Sequence, residues 1–201
     1  MLSSKLNGLF RTACDVEVIA IGEQRYCEFS NALSESDVLG VINIGLNDNK
    51  KYAPMLMNMS TELNLAMIDM MIGGGDSSGE EVPFNYKYTD VELSIYLAIF
   101  KNIVKNISDA WNAFNNVNFE FSKLETNPSM VQLIGADETV VLVVLSIQLG
   151  GNQGKLSVCL PGSTLSNIFS QYEKQLRESQ GHRTNDEEEA EILEALQSTY
   201  L

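Results

Sequence analysis

The sequence predicts an α+β (mixed α/β) fold: a three-layer α/β/α domain with a pseudo-twofold repeated, largely antiparallel sheet and helices on both faces. Three observations lead there. Strand-like segments come in two groups, each bounded by helical periodicity. Strands and then a helix ending near residue 72 are followed by a long helix, strands and another helix ending near residue 178. Val140–Leu145 is apolar at every position, the pattern of a strand covered on both faces.

The elements follow in order. Leu6, Leu9, Phe10 and Ala13 fall at helical spacing over Leu6–Cys14, and the pattern is already running there, so Met1 is expected not to be the natural start. Val16–Ile21 reads as a strand, and Gln24–Leu33 as a short helix or turn through Tyr26, Phe29 and Leu33. Val38–Leu46 and Tyr52–Met59 read as strands joined by the polar turn Asn47–Lys51. Ser60 or Thr61 caps the next helix. Thr89 and Glu92 form a capping box for a helix running to about Phe114, with Ile95, Ile99, Ile103, Ile107 and Trp111 as its core stripe. Val117–Lys123, Met130–Ile134, Thr139–Leu149 and Gly154–Leu160 read as strands, and Gly150-Gly151 lies in the hairpin turn between the last two. A last helix runs over Thr164–Glu178. Residues 180–189 read as an acidic linker, and Ile192, Leu193 and Leu196 restore helical periodicity after it.

One stretch stands apart from ordinary core. Asn64–Asp76 is an apolar helix ending in three glycines. Leu65, Ile68 and Ile72, with Met67 and Met71 beside them, predict one wide buried face. Gly73 alone would serve as a helix cap. Gly74, Gly75 and Asp76 exceed what a cap needs and offer bare main chain to an approaching partner. A phosphate cradle is excluded, because such loops open a helix, whereas these glycines follow a negatively polarised helix end with Asp76 beside it. Met70 and Met71 join the candidate surface as adaptable apolar side chains.

Composition narrows the function classes. The 201 residues suit one domain of moderate size plus a tail, and 44% hydrophobic content fits a globular core. The formal net charge of −14 would repel a nucleic-acid backbone and anionic lipid. No apolar run reaches the ~18 residues of a membrane span, and Met1–Gly8 does not read as a signal peptide. Three cysteines without CxxC spacing read as reduced core residues. A single histidine, His182, leaves little for a zinc site or a His-dependent nucleophile, so neither metal nor cofactor is expected.

Several stretches together resemble the middle domain of the flagellar motor switch protein FliM family. They are Leu9-Phe10-Arg11 before the first strand, Gln24–Phe29, Ile68–Asp76, Thr89 with Glu92, Ser108–Trp111, Glu125–Pro128, Glu138–Val141, Gly150–Gly154 and Ser157–Pro161. The likeness covers roughly residues 5–178. Gly75-Asp76 departs from the Pro-Gly or Asp-Gly of many members.

The resemblance implies a non-enzymatic component of the cytoplasmic ring at the flagellar base, peripheral to the membrane. It implies contact with the rotor protein FliG through Gly73, Gly74, Gly75 and Asp76, and contact with neighbouring FliM copies. Met70 and Met71 beside that loop, and Asn127 and Pro128, are further candidates for the FliG contact. Phosphorylated CheY and FliN are expected to act mainly through family segments absent from this sequence. Residues 1–178 are expected to form the middle domain, and 179–201 to lead toward a C-terminal domain. The competing class is a CheC/CheX-type phosphatase of phosphorylated CheY, which needs a Glu and an Asn three residues apart on a helix. Ala98 and Lys101 stand at the matching place, and Ile99 and Asn102 one step on, so no carboxylate is supplied. Glu28 and Asn31 have the spacing but follow the first strand, and their match reads as chance.

Overall fold

A computed structural model of the chain describes residues 2–46, 52–74, 82, 83, 85–112, 117–174, 176 and 177. Helix α1 spans Leu2–Phe10, strand β1 Cys14–Arg25 and helix α2 Tyr26–Asn31. Strands β2 (Leu39–Leu46) and β3 (Tyr52–Met59) precede helix α3 (Thr61–Ile72). Helix α4 (Asp90–Asn112) leads to β4 (Val117–Glu125), a 3-10 turn (Pro128–Met130), β5 (Thr139–Leu149) and β6 (Asn152–Pro161). A further helix, α5, covers residues 162–174. The chain divides into two compact units, Met1–Thr164 and Leu165–Leu201. The first holds the sheet and helices α1 to α4, and the second holds most of α5.

Among the described residues the strands form one six-stranded antiparallel sheet in the order β1-β5-β6-β3-β2-β4. Exchanging β1 with β4, β2 with β5 and β3 with β6 turns this order into its own reverse. The predicted pseudo-twofold is therefore present, with β3 and β6 pairing across its centre. The two halves interlock, because β1 pairs with β5 of the other half and not with its sequence neighbour. Gly150 opens the β5–β6 turn with φ +60°, the sign a two-residue II′ hairpin demands at its first position.

Strand alternation defines two apolar faces. On one, Ile42, Met55, Met57, Met59, Leu156 and Val158 lie under α1, α3 and α4, which also touch one another. On the other, Leu39, Val41, Leu56, Val140 and Cys159 pack with Tyr26 and Phe29 of α2 and with Val131 and Ile134. The methionines Met55, Met57, Met59 and Met67 are core.

Four expectations need correction. Met130–Ile134 is not a strand: Met130 ends the 3-10 turn, and the segment occupies, between β4 and β5, the place α2 holds between β1 and β2. Its Val131 and Ile134 are buried under α2 without pairing in the sheet. The stripe of α4 is rotated, with Tyr96, Ile99, Phe100, Ile103, Val104 and Ser108 buried, while Ile95, Ile107 and Trp111 are only half-buried. Aromatic contacts explain the turn: Tyr96, Phe100 and Phe121 form an edge-to-face chain toward β4. In α3 the buried face is Leu63, Asn64, Ala66, Met67 and Ile68, and Met71 and Ile72 of the last turn are exposed. Val141–Leu145 of β5 is half-buried, because β1 beyond it leaves Val18, Ile19 and Ile21 exposed at the sheet edge. Asn47–Lys51, Phe114 and residues 178–201 lie outside the described residues.

Candidate functional site

The candidate site begins where α3 stops. Gly73 adopts the left-handed conformation, φ +84° and ψ +19°. Its N–H donates to Met70 O at 3.4 Å, and the Gly74 N–H donates to Asp69 O at 2.8 Å. These paired bonds make a Schellman cap, which satisfies the last carbonyls of the helix. Both glycines are exposed. A Cβ on Gly74 would stand 3.0 Å from Asp69 O, so a side chain there would crowd the capped carbonyl. Gly75 and Asp76 lie outside the described residues.

The two methionines divide. Met70 is half-buried, and its Cε lies 3.6 Å from where a Cβ on Gly150 would stand, so it packs against the β5–β6 turn. Met71 is 43% exposed and Ile72 65% exposed. They form one wall of an open groove of about 460 Å³, whose other wall is Asp90, Val91, Ser94, Ile95 and Ala98 of α4. Sequence periodicity missed this groove. It assigned Ile72 and Ile95 to the core, and Val91, now 69% exposed, attracted no notice. The available signal was Val91, which stands four residues before Ile95 and so extends the apolar stripe of α4 into the capped first turn of the helix.

Asn127 and Pro128 sit elsewhere. Asn127 is exposed, and its carbonyl accepts the Met130 N–H at 3.0 Å, while Pro128 is buried. The preceding Thr126 lines a separate polar pocket with Glu35, Ser36, Tyr86, Lys87, Tyr88 and Leu93. The two hollows flank the first turn of α4, with Leu93 on one side and Asp90, Val91 and Ser94 on the other.

That first turn is rigidly capped. Thr89 N–H and Oγ1–H donate to Glu92 Oε2 at 2.7 and 2.8 Å, and the Glu92 N–H returns to Thr89 Oγ1 at 3.3 Å. Tyr86 Oη–H donates to Glu92 Oε1. Burial pushes the Glu92 carboxyl up, but the bonds from Tyr86 and Thr89 outweigh it and hold the group below the usual carboxylate value. The Tyr86 hydroxyl is pushed up to about 12, first by its bond to Glu92 and then by burial.

Of the residues at the phosphatase-like positions on α4, Ala98 and Lys101 are exposed, Ile99 is buried and Asn102 is exposed. Glu28 and Asn31 are exposed on the six-residue α2. Among the described residues no three His, Cys, Asp or Glu side chains stand close enough to hold a metal ion. No described helix is long and apolar enough to cross a membrane.

The interlocked, twofold-repeated sheet defines a class of pseudo-duplicated α+β domains, here carrying a bare glycine cap beside an apolar groove. The FliM profile, described as flagellar motor switch protein FliM, matches residues 1–176, and the chain belongs to that family. FliM of Bacillus subtilis is 24% identical over 169 residues, covering 84% of this chain and 49% of that protein. The chain thus spans about half the length of that relative. The FliM middle domain of H. pylori superposes with a TM-score of 0.71 at 19% identity, covering 84% of this chain and 88% of that one. A chain of the FliG–FliM complex from H. pylori superposes with a TM-score of 0.70 at 21% identity, covering 80% and 84%. These two likenesses establish the fold.

Proposed function

We propose that the chain is the FliG-binding middle part of a FliM protein, a non-catalytic component of the motor's cytoplasmic ring. The observation that carries this reading is the exposed Gly73-Gly74 cap continued by exposed Met71 and Ile72. A helix end without side chains lets a partner's main chain approach closely, and the adjacent apolar side chains supply burial. Gly73, Gly74, Gly75, Asp76, Met70 and Met71 form the proposed contact, and Asn127 and Pro128 a second, separate one. Support from relatives is that a FliM of this fold is found in complex with FliG in H. pylori.

Neighbouring FliM copies bind along the flanks of the domain. Phosphorylated CheY and FliN act mainly through other parts of the whole FliM protein. Residues 1–178 serve as the middle domain, and 179–201 lead on as a linker. The absence of a Glu–Asn pair on α4, where Ala98 and Lys101 stand, favours scaffolding over hydrolysis of phosphorylated CheY.

The test is direct. The purified chain is titrated with purified FliG by calorimetry, and in parallel with phosphorylated CheY while phosphate release is followed. Saturable FliG binding with phosphate release no faster than the spontaneous decay of CheY supports the reading. No FliG binding, or accelerated release, sinks it.

A further inference from the structure

We infer that the groove between the last turn of α3 and the first turns of α4 seats an amphipathic helix of the partner protein, with an apolar stripe and basic flanks. This rests on the FliG-binding reading and adds a second, side-chain-specific surface to the glycine cap.

The groove has the shape for it. Val91, Ile95 and Ala98 recur at steps of four and three, so they form one ridge along α4. At about 1.5 Å per residue they span roughly 10 Å, close to two turns of a docked helix. Ile72 and Met71 close the far side. Large apolar side chains left open on both walls of one concavity are the mark of an interaction site, where scattered single ones are not. The groove also continues from the proposed contact, because Ile72 immediately precedes Gly73.

Charge selects the occupant. Among the described lining residues Asp90 is the one ionisable group, and Asp69 lies on α3 one turn before the cap. A second copy of this chain would bring a net charge of −14 to another of −14. The chain's own apolar residues Ile192, Leu193 and Leu196 stand beside Glu191 and Glu194, which would set acid against acid. A basic partner helix meets neither objection.

The test uses FliG and the whole chain. Val91→Glu and Ile72→Glu place a carboxylate on each wall at exposed positions, so the thermal midpoint is expected to stay within a degree or two. FliG affinity is expected to fall tenfold or more for each. Asp90→Asn should weaken binding several-fold and flatten its salt dependence. Amide exchange across residues 90–98 should slow when FliG is added. If the wild-type chain binds FliG and both glutamate variants bind as tightly, the groove assignment is wrong while the FliG reading stands. If the wild-type chain does not bind FliG, both fall.

Discussion

Gly40 of β2 lies directly beneath the ring of Phe100 of α4, so close that a Cβ on Gly40 would overlap the Cε1 and Cζ atoms. The contact sets how near the longest helix comes to the sheet. Phe100 is fully buried and stacks edge-on against Tyr96 and Phe121, so it cannot swing aside. Gly40→Ala is therefore expected to destabilise the domain by about 1–3 kcal/mol or more, the usual cost of overpacking. Phe100→Leu alone should also destabilise, through lost contacts and a cavity. Combined, the two should cost less than their sum, because the smaller side chain makes room for the methyl group. Urea unfolding of the four proteins reads this coupling. Strict additivity would show that the two residues do not share the space.

The glycine cap makes a second prediction, because its folding role and its binding role separate by variant. Gly73→Ala forces a side chain into the left-handed region and should cost about 1 kcal/mol of stability. Gly73→Asn should cost less, since asparagine tolerates that region. If the cap also meets FliG, both variants should weaken FliG binding, and the asparagine variant by more than its small stability loss explains. Binding that tracks stability alone would confine Gly73 to capping. Gly74→Ala is a poorer probe, because its methyl group would press on Asp69 O.

How much of this was legible in the sequence depended on whether a local rule governed the element. Tyr52–Met59 and Thr139–Leu149 alternate or run β-branched between turn signals, and their strands appear over those residues. The Thr89/Glu92 box capped α4 because capping is decided within four residues. Ser60 was legible only in part. It stands at the N-cap of α3, but its hydroxyl makes no cap bond and accepts the Lys155 N–H at 3.2 Å. That partner is 95 residues away, and no local pattern encodes it. The segment after Pro128 failed for a similar reason. Met130–Ile134 is apolar enough for a strand, yet Val131 and Ile134 are taken up by the cluster with Tyr26 and Phe29, and Val131 O accepts the Tyr26 hydroxyl 105 residues away, so the segment pairs with no strand. The groove was invisible because periodicity finds apolar faces but not which turn of a face outruns its cover.

The α4 cap gives a pH prediction with two limbs. Glu92 titrates lower in the folded chain than when unfolded. Its stabilising contribution is thus present above the ordinary carboxylate value and is lost as pH falls through the folded value. Tyr86 titrates higher when folded, at about 12, so its contribution is present below about 10 and is lost as pH rises toward 12. Glu92→Gln should flatten the acid limb and return Tyr86 toward its ordinary value. Tyr86→Phe should raise the Glu92 value and remove one late phenolate from an absorbance titration at high pH. Unchanged titration in both variants would mean that the Tyr86–Glu92 bond does not persist in solution.

The segment between β4 and β5 is strapped to α2 by three bonds. The Tyr26 N–H donates to Glu138 O at 2.9 Å, the Cys27 N–H to Ala136 O at 3.0 Å, and the buried Tyr26 Oη–H to Val131 O at 3.1 Å. Tyr26→Phe removes only the last and leaves the Val131 carbonyl buried without that donor. Such a loss costs about 1–3 kcal/mol, so the urea midpoint should fall and amide exchange should quicken over residues 128–134. The same variant decides the standing of Asn127 and Pro128. They begin the loosened segment, and α3 with its glycine cap is untouched. FliG affinity equal to wild type would place the rotor contact at the cap and groove alone. A drop of several-fold at a temperature where the variant is fully folded would assign the Asn127 segment a share of it.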